Sequence, residues 1–268
     1  MPELPEVETI ARFLASNIIG KFVNGVVVRR RDLRTVLQDD FEDLLIGRCI
    51  SGIERVAKYL ILVLDNGMKV VFHLGMSGKL IHTQNSEITK HQHIIFLLDD
   101  GSRLIFDDVR RFGSVRICDG ECYESLLEKI GPDPLSSDFN AEYIMRTCSK
   151  MSIKGFLMDA ASVAGIGNIY ASEILFRAEI LPSRKVSTLS HTECARIVEA
   201  TRYVLNLSIS AGGSSIKDYK IPSGEKGRFQ ENFMVYGRGG KECYICGAEV
   251  SAEKQDGRST FFCIKCQK

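Results

Sequence analysis

Residues 59–74 read YLILVLDNGMKVVFHL. Two runs rich in β-branched, aromatic and aliphatic side chains, 59–64 and 69–74, flank Asp65-Asn66-Gly67. An Asn-Gly turn between such runs is the sequence form of an antiparallel hairpin, because both residues tolerate the positive φ of a tight strand reversal. The pattern repeats outward. FVNGVVV (22–28) lies upstream, and HIIFLL (93–98) and SRLIF (102–106) lie downstream, the last two separated by Asp99-Asp100-Gly101. Short antiparallel strands from about Phe22 to Ile117 predict a β-sandwich.

The period changes on either side of this region. In PEVETIARFLASNI (5–18), Val7, Ile10, Leu14 and Ile18 share one helical face. Pro5 suits the first turn, and Glu6 and Glu8 suit its positive dipole end. Downstream, Gly131-Pro132-Asp133-Pro134 is a turn-rich break. Helices are expected at 141–148, 153–161, 168–178 and 192–210, followed by a polar loop over 217–227 and a small cysteine-containing module. The predicted fold class is α+β, with a β-sandwich domain and leading helix (1–130), a helical domain (131–232) and a C-terminal module (233–268).

Of 268 residues, 44% are hydrophobic and 26% charged, enough for a sizeable core. The net charge of +1 gives no argument for nucleic acid, so any DNA-binding charge must be concentrated on one face. No run approaches the roughly 18 apolar residues of a membrane span. MPELPEVETI has no apolar stretch and does not read as a signal peptide. A cytoplasmic monomer without membrane association is expected, with reduced thiols. Five of the nine cysteines, Cys49, Cys118, Cys122, Cys148 and Cys194, are scattered and read as small buried side chains rather than disulfides.

The other four differ. Cys243 and Cys246 form C-x2-C, and Cys263 and Cys266 form a second pair sixteen residues later. This is four-cysteine zinc spacing. Each knuckle presents two thiolates to one tetrahedral Zn2+, and a segment this short draws its folding energy from the metal. With all four ligands supplied by cysteine, no position is left for a catalytic water, so the zinc is expected to be structural. Arg258 lies in DGRST (256–260), which reads as a turn carrying a solvated arginine.

Removal of the initiator methionine would expose Pro2 as a secondary amine. An α-amino group titrates near 8, so a useful fraction is neutral and nucleophilic at physiological pH. Such an amine can attack a sugar C1′ and form an iminium, and Glu3 beside it could serve as acid or base. By spacing alone, Pro2, Glu3 and Pro5 also simply start a helix.

The string MPELPEVET (1–9) resembles the signature of the formamidopyrimidine-DNA glycosylase family, the oxidised-purine glycosylases. AKYLILVL (57–64), HLGMSGKL (73–80), DVRRFGSV (108–115), IGPDPLS (130–136), AGIGNIYASEILF (164–176), GGSSIKDY (212–219), VYGR (235–238) and RSTFFCIKCQK (258–268) resemble further family motifs, in the family order. The resemblance spans the chain. It implies an N-terminal sandwich, a helix–two-turns–helix domain and a zinc finger, acting on double-stranded DNA that contains oxidised purines.

By the resemblance, Pro2 is the nucleophile that forms a Schiff base with C1′, and Glu3 is the acid that helps open the sugar ring. Lys58 matches the lysine assigned to β-elimination, and Arg258 the arginine assigned to δ-elimination. Met76, Arg110 and Phe112 match three residues that fill the void left by a flipped nucleotide, with Arg110, rather than Arg111, reading the orphaned base. Without the resemblance, Met76 and Phe112 would be read as core and Arg110 as a salt-bridge partner. Asn168, an N-cap by its position, matches an asparagine that holds a backbone phosphate at a helix N-terminus. His91 and Lys150 fall near DNA-contact positions, and Lys154 matches a family lysine. The loop Ser214–Arg228 resembles the lid over the flipped base. Gly155 departs from the pattern, standing where the family commonly has proline, and the chain has no tryptophan.

The sister group that removes oxidised pyrimidines usually begins PEGP, whereas this chain begins PELP after Met1. A non-catalytic DNA-binding relative would not need Pro2, Glu3, Lys58 and Arg258 together. A ribosomal or transcription zinc ribbon would account only for the last thirty or so residues.

Overall fold

A computed structural model of the chain describes residues 2–147, 149–215 and 219–268. Residues 216–218, within the expected lid, lie outside the described residues. The chain divides into two compact units, Met1–Glu128 with Ala211–Arg228, and Lys129–Ser210 with Phe229–Lys268. The segment 211–228, assigned from sequence to the second domain, therefore packs with the first. The cysteine module shares its unit with the helices.

The first unit begins with α1 (Leu4–Ile18), whose Val7, Ile10, Leu14 and Ile18 are each at most 1% exposed, as the periodicity requires. Eight antiparallel strands follow: β1 (Val23–Val28), β2 (Ile50–Val56), β3 (Tyr59–Leu64), β4 (Lys69–His73), β5 (Gly78–Thr83), β6 (Gln92–Leu98), β7 (Arg103–Asp108) and β8 (Ser114–Cys118). They form two four-stranded sheets, β1-β6-β7-β5 and β2-β3-β4-β8. The expected sandwich is present.

The opening stretch shows why the sequence looks apolar on both faces. Leu60, Leu62 and Leu64 of β3 and Val70 and Phe72 of β4 point into the main core beside α1. Ile61 and Val71 point the other way and pack with Cys118 under Tyr123 and Leu126 of α2 (Gly120–Leu127). A strand covered on both sides loses its alternating pattern. At the β3–β4 turn, Gly67 takes φ +82° and its N–H donates to Leu64 O at 3.0 Å.

No residue of α2 is fully buried, and Cys122, Tyr123, Leu126 and Leu127 form its part-buried face, a short period that the sequence reading did not pick up. Its cap, Asp119, accepts the Cys122 N–H at 2.9 Å. That turn brings Cys122 back onto Cys118, with Cα atoms 5.2 Å apart, so these two cysteines are neighbours in space rather than scattered. Cys49 is only part-buried, Cys194 is buried as expected, and Cys148 lies outside the described residues.

In the second unit, α3 (Ala141–Thr147), α5 (Asn168–Arg177) and α6 (His191–Ser210) lie close to the expected spans. Helix α4 (Ile153–Met158) is shorter than expected, because Asp159 turns to extended backbone and its side chain accepts from Ala161 N and Ser162 Oγ. The last element is a hairpin of β9 (Ser251–Gln255) and β10 (Arg258–Phe262). Among the described residues, no helix is long and apolar enough to cross a membrane.

Candidate functional site

Pro2 is buried and Glu3 stands at the cap of α1, 4% exposed. The Glu3 N–H donates to Glu6 Oε2 at 2.9 Å, a capping-box bond that fixes the chain entering the helix. The other oxygen of Glu6 accepts from Ser214 N at 2.7 Å and Ser214 Oγ at 3.0 Å. Tyr219 OH donates to the Glu6 carbonyl at 3.3 Å, and burial followed by the Glu6 charge drives this phenol far above its ordinary range. Glu6 thus joins the N-terminus to segment 211–228. Gly213, at φ +80°, makes this approach possible: a Cβ there would lie 3.0 Å from the Glu6 side chain.

Lys58 lies in the two-residue turn between β2 and β3, and its neighbour Ala57 takes φ +52°. Arg55, from the same hairpin, pairs with Glu8 of α1 at 2.7 Å. Burial raises the Glu8 pKa, but Arg55 and Arg12 outweigh it and hold the carboxyl below its usual range. This ion pair links the helix headed by Glu3 to the hairpin bearing Lys58. His73 is nearby. Burial, then the charges of Arg34 and Lys58, lower its pKa to about 4.

Met76 and Phe112 are 48% and 44% exposed, so neither is core. Arg110 is exposed, with its guanidinium 4.6 Å from the Phe112 ring centre, and makes no ion pair among the described residues. Arg111 takes φ +58° and turns to Asp32 at 3.5 Å. His91 is half-buried, and its carbonyl accepts the Asp108 N–H at 3.0 Å. The loops carrying Met76 and Phe112 converge on the buried Asp108, a residue that no sequence period marks out.

In the second unit, the helix cap is Gly167, and Asn168 is the first residue of α5 rather than its cap. Its Nδ2 donates to Ser259 O at 2.9 Å, while its buried Oδ1 has no hydrogen-bond partner among the described residues. Lys154, 2% exposed, donates from Nζ to Thr260 Oγ1 at 2.6 Å and to Ser259 O at 3.3 Å. Both tether the hairpin just after Arg258. The hairpin turns through Asp256 and Gly257, both at positive φ, a two-residue reversal matching strand twist. Arg258 is exposed and borders a cleft of about 730 Å³ with Lys150, Lys154 and Asp256.

The sulfurs of Cys243, Cys246, Cys263 and Cys266 all lie within 4.8 Å of one another, with Cys246 and Cys263 at 3.5 Å and Cys243 and Cys266 at 3.9 Å. Tetrahedral ligation at a metal–sulfur distance of about 2.3 Å calls for sulfurs about 3.8 Å apart. The cluster can hold a metal ion. Glu173, which sequence reasoning missed, supports the module from beneath. It is 3% exposed and accepts the N–H groups of Met234, Val235 and Tyr236 at 2.8, 3.0 and 2.8 Å.

Residues 1–115 match the formamidopyrimidine-DNA glycosylase N-terminal domain, and residues 130–220 match the formamidopyrimidine-DNA glycosylase H2TH domain. The chain is 43% identical over 270 residues to a formamidopyrimidine-DNA glycosylase of Wolbachia pipientis wMel, covering all of both chains. Its structure is similar to that of Lactococcus lactis Fpg in complex with DNA containing an abasic site, at TM-score 0.91 and 34% identity over 100% of both chains. It is also similar to the MutM (Fpg) protein of Thermus thermophilus, at TM-score 0.88 and 38% identity over 99% of this chain and 98% of that one.

Proposed function

Because the chain belongs to the formamidopyrimidine-DNA glycosylase family, we propose that it excises 8-oxoguanine and formamidopyrimidines from duplex DNA in base excision repair, then cleaves the strand by β,δ-elimination. The observation that carries this is the full-length similarity to a formamidopyrimidine-DNA glycosylase.

The reaction begins when the nitrogen of Pro2, freed by loss of Met1, attacks C1′. The bond from C1′ to the damaged base breaks, the base leaves with a proton, and the sugar ring opens as Glu3 protonates O4′. The iminium acidifies the C2′ proton. Its removal expels the 3′-phosphate, a β-elimination served by Lys58. A second elimination, served by Arg258, expels the 5′-phosphate and leaves a one-nucleotide gap. No redox step enters this scheme.

Duplex opening costs a few kcal/mol. Met76, Arg110 and Phe112 fill the resulting void. Exposure of the two apolar side chains supports that role, as does the stacking of Arg110 on Phe112 while Arg111 turns to Asp32. His91, Lys150 and Asn168 contact the DNA backbone, and the loop 214–228 covers the flipped base. The four cysteines hold one structural Zn2+, which shapes the module carrying Arg258. The protein works as a cytoplasmic monomer in a bacterium.

Borohydride trapping on a duplex with 8-oxoguanine opposite cytosine tests the reading. A covalent protein–DNA adduct is expected, lost or sharply reduced in Pro2→Gly. Intact DNA binding with no adduct would overturn it, and adduct formation only on thymine-glycol DNA would move the chain to the pyrimidine branch.

A further inference from the structure

Asp108 is fully buried, and two loops share its carboxylate. Oδ1 accepts from Ser77 Oγ at 2.5 Å and from Arg110 N at 3.2 Å, and Oδ2 accepts from Gly113 N at 2.8 Å. Ser77 Oγ also accepts from Arg110 N at 3.2 Å, closing a small ring of hydrogen bonds. The Asp108 main chain is used as well. Its N–H donates to His91 O at 3.0 Å, and its carbonyl oxygen lies 2.8 Å from Nε2 of the buried His93.

Met76, His91, Arg110 and Phe112 are thereby each at most one residue from an Asp108 contact. Met76 precedes Ser77, Phe112 precedes Gly113, and His91 and Arg110 make the contact themselves. The loops also touch as backbone. A Cβ on Gly75 would lie 2.4 Å from Phe112 O, and one on Gly113 would lie 2.8 Å from the Phe106 ring, so these approaches require glycine. Among the described residues, no cation pairs with Asp108, and its charge is offset by O–H and N–H donors from both loops. A buried carboxylate is tolerable only with such donors. Its removal would leave them unpaired and release one loop from the other.

We propose that Asp108 is a positioning residue for duplex opening: it sets the Met76 loop against the Arg110–Phe112 turn and so governs discrimination of the base opposite the lesion. The proposal rests on the reading of Met76, Arg110 and Phe112 as void-filling residues. Apolar packing could stiffen either loop alone. The shared carboxylate instead fixes one relative to the other, which a wedge and a base-reading donor acting on the same void require.

Asp108→Asn and Ser77→Ala test it with two substrates. One is a duplex with 8-oxoguanine opposite cytosine or adenine, read by single-turnover excision. The other is a single-stranded oligonucleotide with an abasic site, read by borohydride trapping, where no base stack must be opened. Loss of a charged hydrogen bond corresponds to about tenfold or more in rate. Asp108→Asn is expected to slow duplex excision by at least that factor and to narrow the preference for cytosine. Single-strand trapping should stay within about twofold, and Ser77→Ala should move the same readouts less. In Arg110→Ala, adding Asp108→Asn should cost less than it does alone, because the two act as one unit. A folded Asp108→Asn variant that keeps its opposite-base preference would overturn the proposal, as would one that loses single-strand trapping in step with duplex excision. If Asp108→Asn does not fold, Ser77→Ala decides by the same readouts. Absence of trapping by the unaltered protein on either DNA would overturn the glycosylase reading itself, and this proposal with it.

Discussion

Glu3 and Arg258 are both assigned to the reaction, yet different forces hold them. Glu3 heads a helix whose apolar face is sealed into a core that also takes side chains from both sheets. Arg258 stands at the tip of a two-stranded hairpin whose apolar cluster consists of Phe176, Val235, Cys243, Val250 and Cys263. Two of those five are metal-ligand candidates. The rest of the hairpin is held by polar tethers, from Lys154 and Asn168 to Ser259 and Thr260, and from Gln267 to Ile180 O at 2.8 Å. Where a chain can bury enough surface, its core positions the functional group. Where it cannot, a metal and a few directional bonds must do so, and removing any one has a disproportionate effect.

The largest expected effect follows directly. Chelation, or Cys263→Ser, removes a metal contribution on the order of 10 kcal/mol from the module. Amide hydrogen exchange should show protection lost across 233–268 and retained in α1 and the sandwich strands. A module that stays protected without metal would erase the proposed contrast. The converse change is Leu14→Ala, which opens a cavity under α1. It should cost about 2–5 kcal/mol in the first unit and leave metal content, measured by atomic absorption, unchanged.

The sandwich has a polar vulnerability of its own. His73 titrates near 4 rather than 6.5 because burial disfavours the imidazolium, as do the charges of Arg34 and Lys58. Between those values the unfolded chain binds a proton that the folded chain refuses. Stability therefore falls as pH drops through this window, by roughly 3 kcal/mol at most. Replacing Lys58 with Met should raise the His73 pKa, measurable by NMR titration. An unchanged value would mean that burial and Arg34 set it without Lys58.

How much of this was legible depended on whether the signal was periodic. Runs of β-branched, aromatic and aliphatic residues with turn residues between them marked five of the eight sandwich strands, and the 3.6-residue period marked α1. The strands β2, β5 and β8 went unmarked. Both β2 and β5 are largely half-exposed and carry polar residues, as in ISGIERV and GKLIHT. The four-cysteine cluster was legible because metal ligation demands a fixed spacing. Pro2, Glu3 and Lys58 were legible only through motif resemblance, since each also has an ordinary structural reading. Asp108, Glu6 and Glu173 were not singled out as functional. Asp108 accepts from Ser77, Glu6 from Ser214, and Glu173 from Met234, Val235 and Tyr236, all distant in sequence, and nothing in the local pattern of a buried acid announces such partners.

Glu173 gives the finest test of the contrast. It reaches from α5 to three successive N–H groups at the entry to the cysteine module, so it adds a directional hold where the apolar cluster is small. Burial pushes its pKa up, while the three N–H donors pull the other way. Glu173→Gln keeps size and shape but replaces one acceptor oxygen with an NH2 group facing an N–H. At least one donor is then left unpaired, at a cost of about 1–3 kcal/mol. If the module depends on such bonds, the variant should lose metal to a chelator several-fold faster than the parent, while exchange protection in the sandwich stays the same. If metal loss is unchanged, the metal alone organises the approach to Arg258, and the polar contribution to that half of the comparison is withdrawn.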